Sequence, residues 1–253
     1  MTDSTKNLII PNKVNWIVDL RQTEQNILPK KVMQRILHDD YETNVRMDIL
    51  DANNIPKLFY PLYSKLMMDR EDFRLSKTET YQKISNLSNN PEYKLLWFCD
   101  KHDMEALGGI VIHLLGDKFA VAYRCFNHNT ATIYGLREID YFAELKMREY
   151  AKSLNYNLLS HGHDKHPVNQ VGLSIWKFRI GAKPAFSHSA TTDNYSENDL
   201  VELSRDSGVS GYYSNPANEL YTKFHLFGNS ETELVKSFVK VAAASGVEVI
   251  VHQ

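Results

Sequence analysis

The chain of 253 residues carries 29 basic and 31 acidic side chains, a formal net charge of -2, which excludes nucleic-acid binding driven by bulk charge and leaves room only for a local basic patch. With 43% hydrophobic residues it can bury a full core, so disorder is not its default state. No apolar run approaches the roughly 20 residues that span a bilayer, and the polar residues 1–7 lack the apolar core of a secretion signal. Cys99 and Cys125 are the only cysteines, too few for a disulfide framework or a cysteine-rich zinc site. Both lie in apolar stretches and read as buried small hydrophobes of a cytoplasmic protein.

In chain order, a short strand is predicted over 15–20 and a polar helix over 28–39, where Lys30, Lys31 and Arg35 form a solvated face. A second short strand covers 46–50. Asn53, Asn54 and Pro56 then open a helix in which Ile55, Leu58, Phe59, Leu62, Leu66 and Met67 recur at three- and four-residue spacing. Pro61, inside its opening turns, marks a kink or a later true start. Residues 77–87 make another helix, ended by Asn89-Asn90-Pro91. Three strands follow, 94–99, 108–114 and 119–126, separated by turn-like segments, so an antiparallel meander is expected. Gly108-Gly109 calls for a bulge or a close backbone approach in the middle strand.

Residues 137–154 carry the clearest helical pattern, with Ile139, Phe142, Ala143, Met147, Tyr150, Ala151 and Leu154 on one face. A strand at 156–160, a His-rich loop, a short helix near 171–178 and a strand at 183–187 come next. The polar run 191–198 and the Ser- and Gly-rich run 204–214 read as a linker or long loop. Beyond it a βαβ unit closes the chain: a strand at 220–227, a helix at 230–244 opened by the capping-box pair Ser230 and Glu233 and stopped by Gly246, and a strand at 247–252. The expected organisation is one domain over 1–190, followed by a linker and βαβ extension over 191–253 that either stands apart or packs on that domain.

The densest chemical signal is Ser160-His161-Gly162-His163-Asp164-Lys165-His166. Histidine titrates near neutrality, so a strand-end loop bearing several can move protons, and His161, His163 and Asp164 are the candidate catalytic residues. His161, His163 and His166 occupy the histidine places of the His-x-His-x-Asp-His motif of the metallo-β-lactamase superfamily. The acid is displaced to Asp164, however, and the cation Lys165 stands in its place, which would repel a second metal; no metal is expected. Lys177 and Arg179 bracket Phe178 near a glycine turn, a pairing suited to phosphate groups, with Lys as a point charge and Arg as a planar fork.

The order of elements and the string Gly172-Leu173-Ser174-Ile175-Trp176-Lys177-Phe178-Arg179-Ile180-Gly181 resemble the GNAT-like acyltransferases. The closer likeness is to the branch of Fem-type aminoacyltransferases, where a Gly, a Phe-Lys pair and a second Gly follow the strand after the long helix. Leu28-Pro29-Lys30-Lys31-Val32-Met33-Gln34-Arg35 resembles that branch's basic opening segment, and Arg70 with Phe73 its Arg–aromatic step. The resemblance implies an α/β fold with a mixed, mostly antiparallel central sheet flanked by helices, here with the small C-terminal βαβ extension. It implies transfer of an acyl group from a thioester or aminoacyl ester to a small-molecule or peptide amine, with backbone N–H groups of a splayed central strand stabilising the oxyanion. Arg70, Tyr123, Arg124, Lys177 and Arg179 are the residues expected to hold the substrate or donor. Coenzyme A users carry a Gly-rich pyrophosphate loop before the long helix, whereas residues 127–136 offer only Gly135. Acyl-CoA and aminoacyl-tRNA therefore both stay open as donors. Two other readings stand beside this one: a non-catalytic GNAT-like binding protein, and a metal-dependent hydrolase built on His161, His163 and His166.

Overall fold

The computed structural model describes residues 7–21, 28–67, 77–168 and 171–252, without the side chains of Met67 and Asp206. The chain forms two compact units, a split one made of 1–18 and 161–253 and a continuous one made of 19–160. Strands β1 (Leu8–Pro11) and β2 (Lys13–Asp19) open the chain. In β2 alternate residues Val14, Trp16 and Val18 are buried, the period-2 pattern of a strand with one face inward.

The continuous unit begins with helices α1 (Lys30–His38) and α2 (Tyr41–Asn44) and strand β3 (Val45–Asp51). A 3-10 turn over Ala52–Asn54 and a π turn over Ile55–Phe59 lead into α3 (Tyr60–Met67). The regular α-helix therefore starts later than the apolar stripe, and Pro61 is its second residue, where a missing N–H is tolerated. Helix α4 (Lys77–Leu87) precedes the expected antiparallel meander of β4 (Tyr93–Asp100), β5 (Ala106–Leu115) and β6 (Lys118–Phe126). Strand β3 adds to its outer edge, with Met47 opposite Phe98. Leu95, Leu96, Phe98, Ile110, Val111 and Ile112 are fully buried, because helices cover the sheet. Ile55, Phe59 and Tyr63 pack on Leu95, Trp97 and Val111, and α6 (Ile139–Ser153), which follows the short α5 (His128–Ile133), buries Ile139, Phe142, Ala143, Met147 and Ala151.

Gly108 fulfils the close-approach expectation: a Cβ there would lie 2.2 Å from the Phe126 ring and 2.6 Å from the Cys125 carbonyl oxygen. The register of β5 with β6 steps from Val111↔Tyr123 to Ile112↔Val121, so Ala122 is the extra residue of a bulge. Strand β6 also pairs in parallel with the start of β7 (Leu158–Lys165), from Lys118↔Leu158 to Ala120↔Ser160, where the register ends.

The His-rich segment is therefore not a loop. Strand β7 runs on through Lys165 and carries His161, His163 and Asp164 into the split unit. There it lies beside β2, and the chain continues through α7 (Val171–Arg179) and β8 (Lys183–Phe186), which pairs antiparallel with β2 from Val14↔Phe186 to Ile17↔Lys183. The expected linker is likewise structured, as β9 (Thr192–Tyr195), α8 (Glu197–Ser207) and β10 (Val209–Ala217). Strand β9 pairs with β1. A capping box between Ser196 and Asp199 starts α8, and Gly208, in the left-handed conformation, stops it. The glycine of β10 serves packing, since a Cβ on Gly211 would stand 2.4 Å from the His225 carbonyl oxygen and 2.4 Å from the Phe224 ring.

The βαβ closure is present: β11 (Leu220–Gly228), α9 (Glu233–Ala244) and β12 (Glu248–His252), with β11 and β12 parallel and β10 antiparallel to β11. Residues 191–253 thus sit in the same compact unit as 161–190. Helix α9 starts two residues later than its sequence signal, because Thr232, not Ser230, is the cap that accepts from the Val235 N–H at 3.3 Å. Thr232→Ala is expected to cost about 1 kcal/mol in urea denaturation, whereas Ser230→Ala leaves stability unchanged. Among the described residues no helix is long and apolar enough to cross a membrane.

Candidate active site

In the split unit, Gly162 breaks the alternation of β7 with φ of 74°, a left-handed conformation that a β-carbon disfavours. On either side of it His161 is buried, with its ring edge-on to Trp176 at 5.7 Å, while His163 is exposed. Helix α7 supplies the facing residues. Val171, Ser174, Ile175 and Phe178 recur at three- and four-residue spacing and are buried, and Lys177 is carried inward with them at 4% exposure.

A cation in that position needs a partner, and Asp164 provides one: Lys177 Nζ donates to Oδ1 at 2.6 Å. The same ammonium lies 5.3 Å from the Trp16 ring centre, over its face. Burial pulls the Lys177 pKa down, against the pull of Asp164 in the other direction. Desolvation also lowers the His163 pKa, helped by the Lys13 and Lys177 charges and opposed by Asp164. His163 is accordingly neutral at pH 7 and able to accept a proton. Arg179 points away from this group, exposed, with Nη2 3.5 Å from Ser237 Oγ on α9. Lys177 and Arg179 therefore occupy opposite faces of α7 and do not form a joint clamp.

His166 has a different role from the other two histidines. Its Nε2 accepts from the Tyr213 backbone N–H at 2.7 Å, which leaves Nδ1 to donate to the Pro11 carbonyl at 2.7 Å. Both ring nitrogens are consumed, the side chain is fully buried, and burial pushes its pKa down to about 4. It ties β1, β7 and β10 together and is not placed to ligate a metal with His161 and His163. Among the described residues no group of three or more His, Cys, Asp or Glu side chains could hold a metal ion.

Tyr123 and Arg124 belong to the continuous unit and, as neighbours on β6, point to opposite faces. Tyr123 joins an aromatic cluster with Tyr63 at 5.8 Å and Phe59 at 6.5 Å, and burial raises its phenol pKa. Arg124 reaches α6, where Nε donates to Asp140 at 3.0 Å, Nη1 to Glu144 at 3.2 Å, and Nη2 to the Asp140 carbonyl. Burial alone would raise the Asp140 pKa, but Arg124 and His128 overcome it and hold the carboxyl below its ordinary value. His128, at 2.9 Å from Asp140, has its own pKa raised by that hydrogen bond. Sequence reading missed this Arg–Asp–His constellation, because its members join a strand, the start of a short helix and the first turn of a long one. Arg70 lies outside the described residues.

The fold is GNAT-like and of the Fem type. No protein-family model and no curated protein matches the chain by sequence. Among solved structures it is similar to FemX, with 11% identity, a TM-score of 0.52, and coverage of 75% of this chain and 63% of that one. It is also similar, at 10% identity and a TM-score of 0.47, to L-PGS from Bacillus licheniformis, over 79% of this chain and 64% of that one. The C-terminal domain of a putative lysylphosphatidylglycerol synthetase from Agrobacterium fabrum aligns at 9% identity and a TM-score of 0.44, over 71% and 59% of the two chains. The chain thus spans somewhat less than two thirds of the length of the structures it matches.

Proposed function

We propose that the protein is an N-acyltransferase that moves an acyl or aminoacyl group from an activated donor to an amine. The observation that carries this reading is the neutral, exposed His163 on β7 of a GNAT-like fold, next to Asp164, which the buried Lys177 of α7 holds at 2.6 Å. In the proposed reaction the amine nitrogen attacks the donor carbonyl, the C–S or C–O bond breaks, and the amine proton passes to neutral His163. The Lys177–Asp164 pair holds the β7–α7 framework around that histidine, and exposed Arg179, on the opposite face of α7, is proposed only for a donor phosphate remote from the reacting centre.

The test is turnover with a panel of acyl-CoA compounds and aminoacyl-tRNAs against amine acceptors. His163→Ala is expected to lower kcat by about 100-fold or more with an unchanged melting temperature, because the side chain is exposed. Wild-type turnover in that variant would remove His163 from the mechanism. The absence of transfer from any thioester or aminoacyl ester would leave a ligand-binding protein of the same fold.

A further inference from the structure

Strands β10, β11 and β12 place three side chains in one hydrogen-bonded row. Period-2 alternation and the cross-strand register put Tyr212 and Ser214 of β10, Lys223, His225 and Phe227 of β11, and Glu248 and His252 of β12 on one face of the sheet. On that face His225 Nε2 lies 2.9 Å from Ser214 Oγ, and His225 Nδ1 lies 3.0 Å from His252 Nε2. The rings are braced: Tyr212 stacks on His225 at 4.5 Å and Phe227 on His252 at 4.4 Å. All three members of the row are half-buried, so a small reagent can reach them.

The row contains a nucleophile, a base within hydrogen-bond reach and a third group that orients the base, the arrangement that activates a hydroxyl. One assignment of protons joins all three: Ser214 donates to His225 Nε2, and His225 Nδ1–H donates to His252 Nε2. Desolvation above all keeps the His225 pKa below its ordinary value, with the His252 ring and the Lys223 ammonium acting in the same direction and Glu248 opposing, so the imidazole is neutral and can accept at pH 7. Lys223 and Glu248 pair with each other at 3.4 Å on the same face. Next to Ser214, Asn215 takes a left-handed backbone conformation within β10, with φ of 54°, and its carbonyl accepts from Thr222 Oγ1 at 2.8 Å.

We propose that Ser214 is an activated nucleophile that takes an acyl or phosphonyl group from small activated esters, with His225 as its base and His252 as the residue that positions His225. With a carboxylic ester the Ser214 Oγ–carbonyl bond forms and the ester C–O bond breaks. The serine proton passes through His225 to the departing alkoxide, leaving an acyl-serine that water can later cleave. The proposal rests on these three side chains and not on the acyltransferase reading, so either can fail without the other.

The experiment is labelling of the full chain with a fluorophosphonate probe, in which the Oγ–P bond forms and fluoride leaves, followed by peptide mass spectrometry. The expected result is modification of Ser214 in native protein, none there in Ser214→Ala, and a rate about 100-fold lower in His225→Gln. His252→Phe keeps the ring on Phe227 while removing the acceptor, and is expected to slow labelling by about tenfold, with a shifted pH profile. Near-UV circular dichroism confirms that each variant is folded. Absence of label at Ser214 in native wild-type protein would overturn the proposal, and so would labelling of folded His225→Gln at the wild-type rate.

Discussion

Lys177→Met is expected to lower the free energy of unfolding by about 3–5 kcal/mol, and the double variant Lys177→Met with Asp164→Leu to recover most of that loss. The reason is the asymmetry of buried charge. The ammonium and carboxylate sit 2.6 Å apart with side chains 5% and 16% exposed. Removing one member leaves the other desolvated with no counter-charge, whereas replacing both with apolar groups also removes the desolvation cost. Urea denaturation with an unchanged m-value is the measurement. A loss below about 1 kcal/mol in the single variant would mean that water reaches Asp164 far more readily than its burial implies. The double variant also separates stability from chemistry: it should be folded, and any remaining transfer activity would show that the pair supports the site without reacting.

The second large effect is a pH dependence carried by His166. Its folded-state pKa is pushed down from 6.5 to about 4, so the unfolded chain binds the proton more readily. Stability is then complete above about pH 6.5 and is lost progressively as pH falls towards 4, by about 3 kcal/mol in all. The variant His166→Gln removes the titration. It should be less stable than wild type at pH 7, because the Tyr213 N–H and the Pro11 carbonyl lose well-placed partners, yet it should show a flatter stability profile between pH 6.5 and 4.5. Equal slopes in the two proteins over that window would show that other groups dominate the acid response.

The sequence was most legible where one periodicity ran uninterrupted. The apolar face of α6, the antiparallel meander and the closing βαβ unit were all readable from spacing and turn residues. The β7 histidines were misread as a loop because Gly162 breaks the alternation and the residues around it are polar, although a strand needs only backbone partners. Helix α8 was hidden by its charge and by the small residues around it, yet Ser196 and Asp199 carried a start signal. The separate duties of the three histidines could not be read from their spacing. His166 differs from His163 only through Pro11 and Tyr213, which are remote in sequence, and the commitment of Arg124 to Asp140 and Glu144 depends on how α6 returns to β6. Lys177 and Arg179 looked like a pair because they are two residues apart, and helical geometry then sends them to opposite faces.

The split unit sets a timetable for the nascent chain. Strand β1 finds its partner at Leu8↔Tyr195, and β2 lies between β7 and β8, pairing with the latter at Val14↔Phe186, so neither can pair until strands far along the sequence emerge. Residues 19–160 have all their own contacts available much earlier. Closure of the split unit is therefore a late, high-contact-order event on the ribosome. Until β8 and β9 emerge, Val14 and Trp16 of β2 and Ile10 of β1 lack strand partners of the folded unit in which all three are buried.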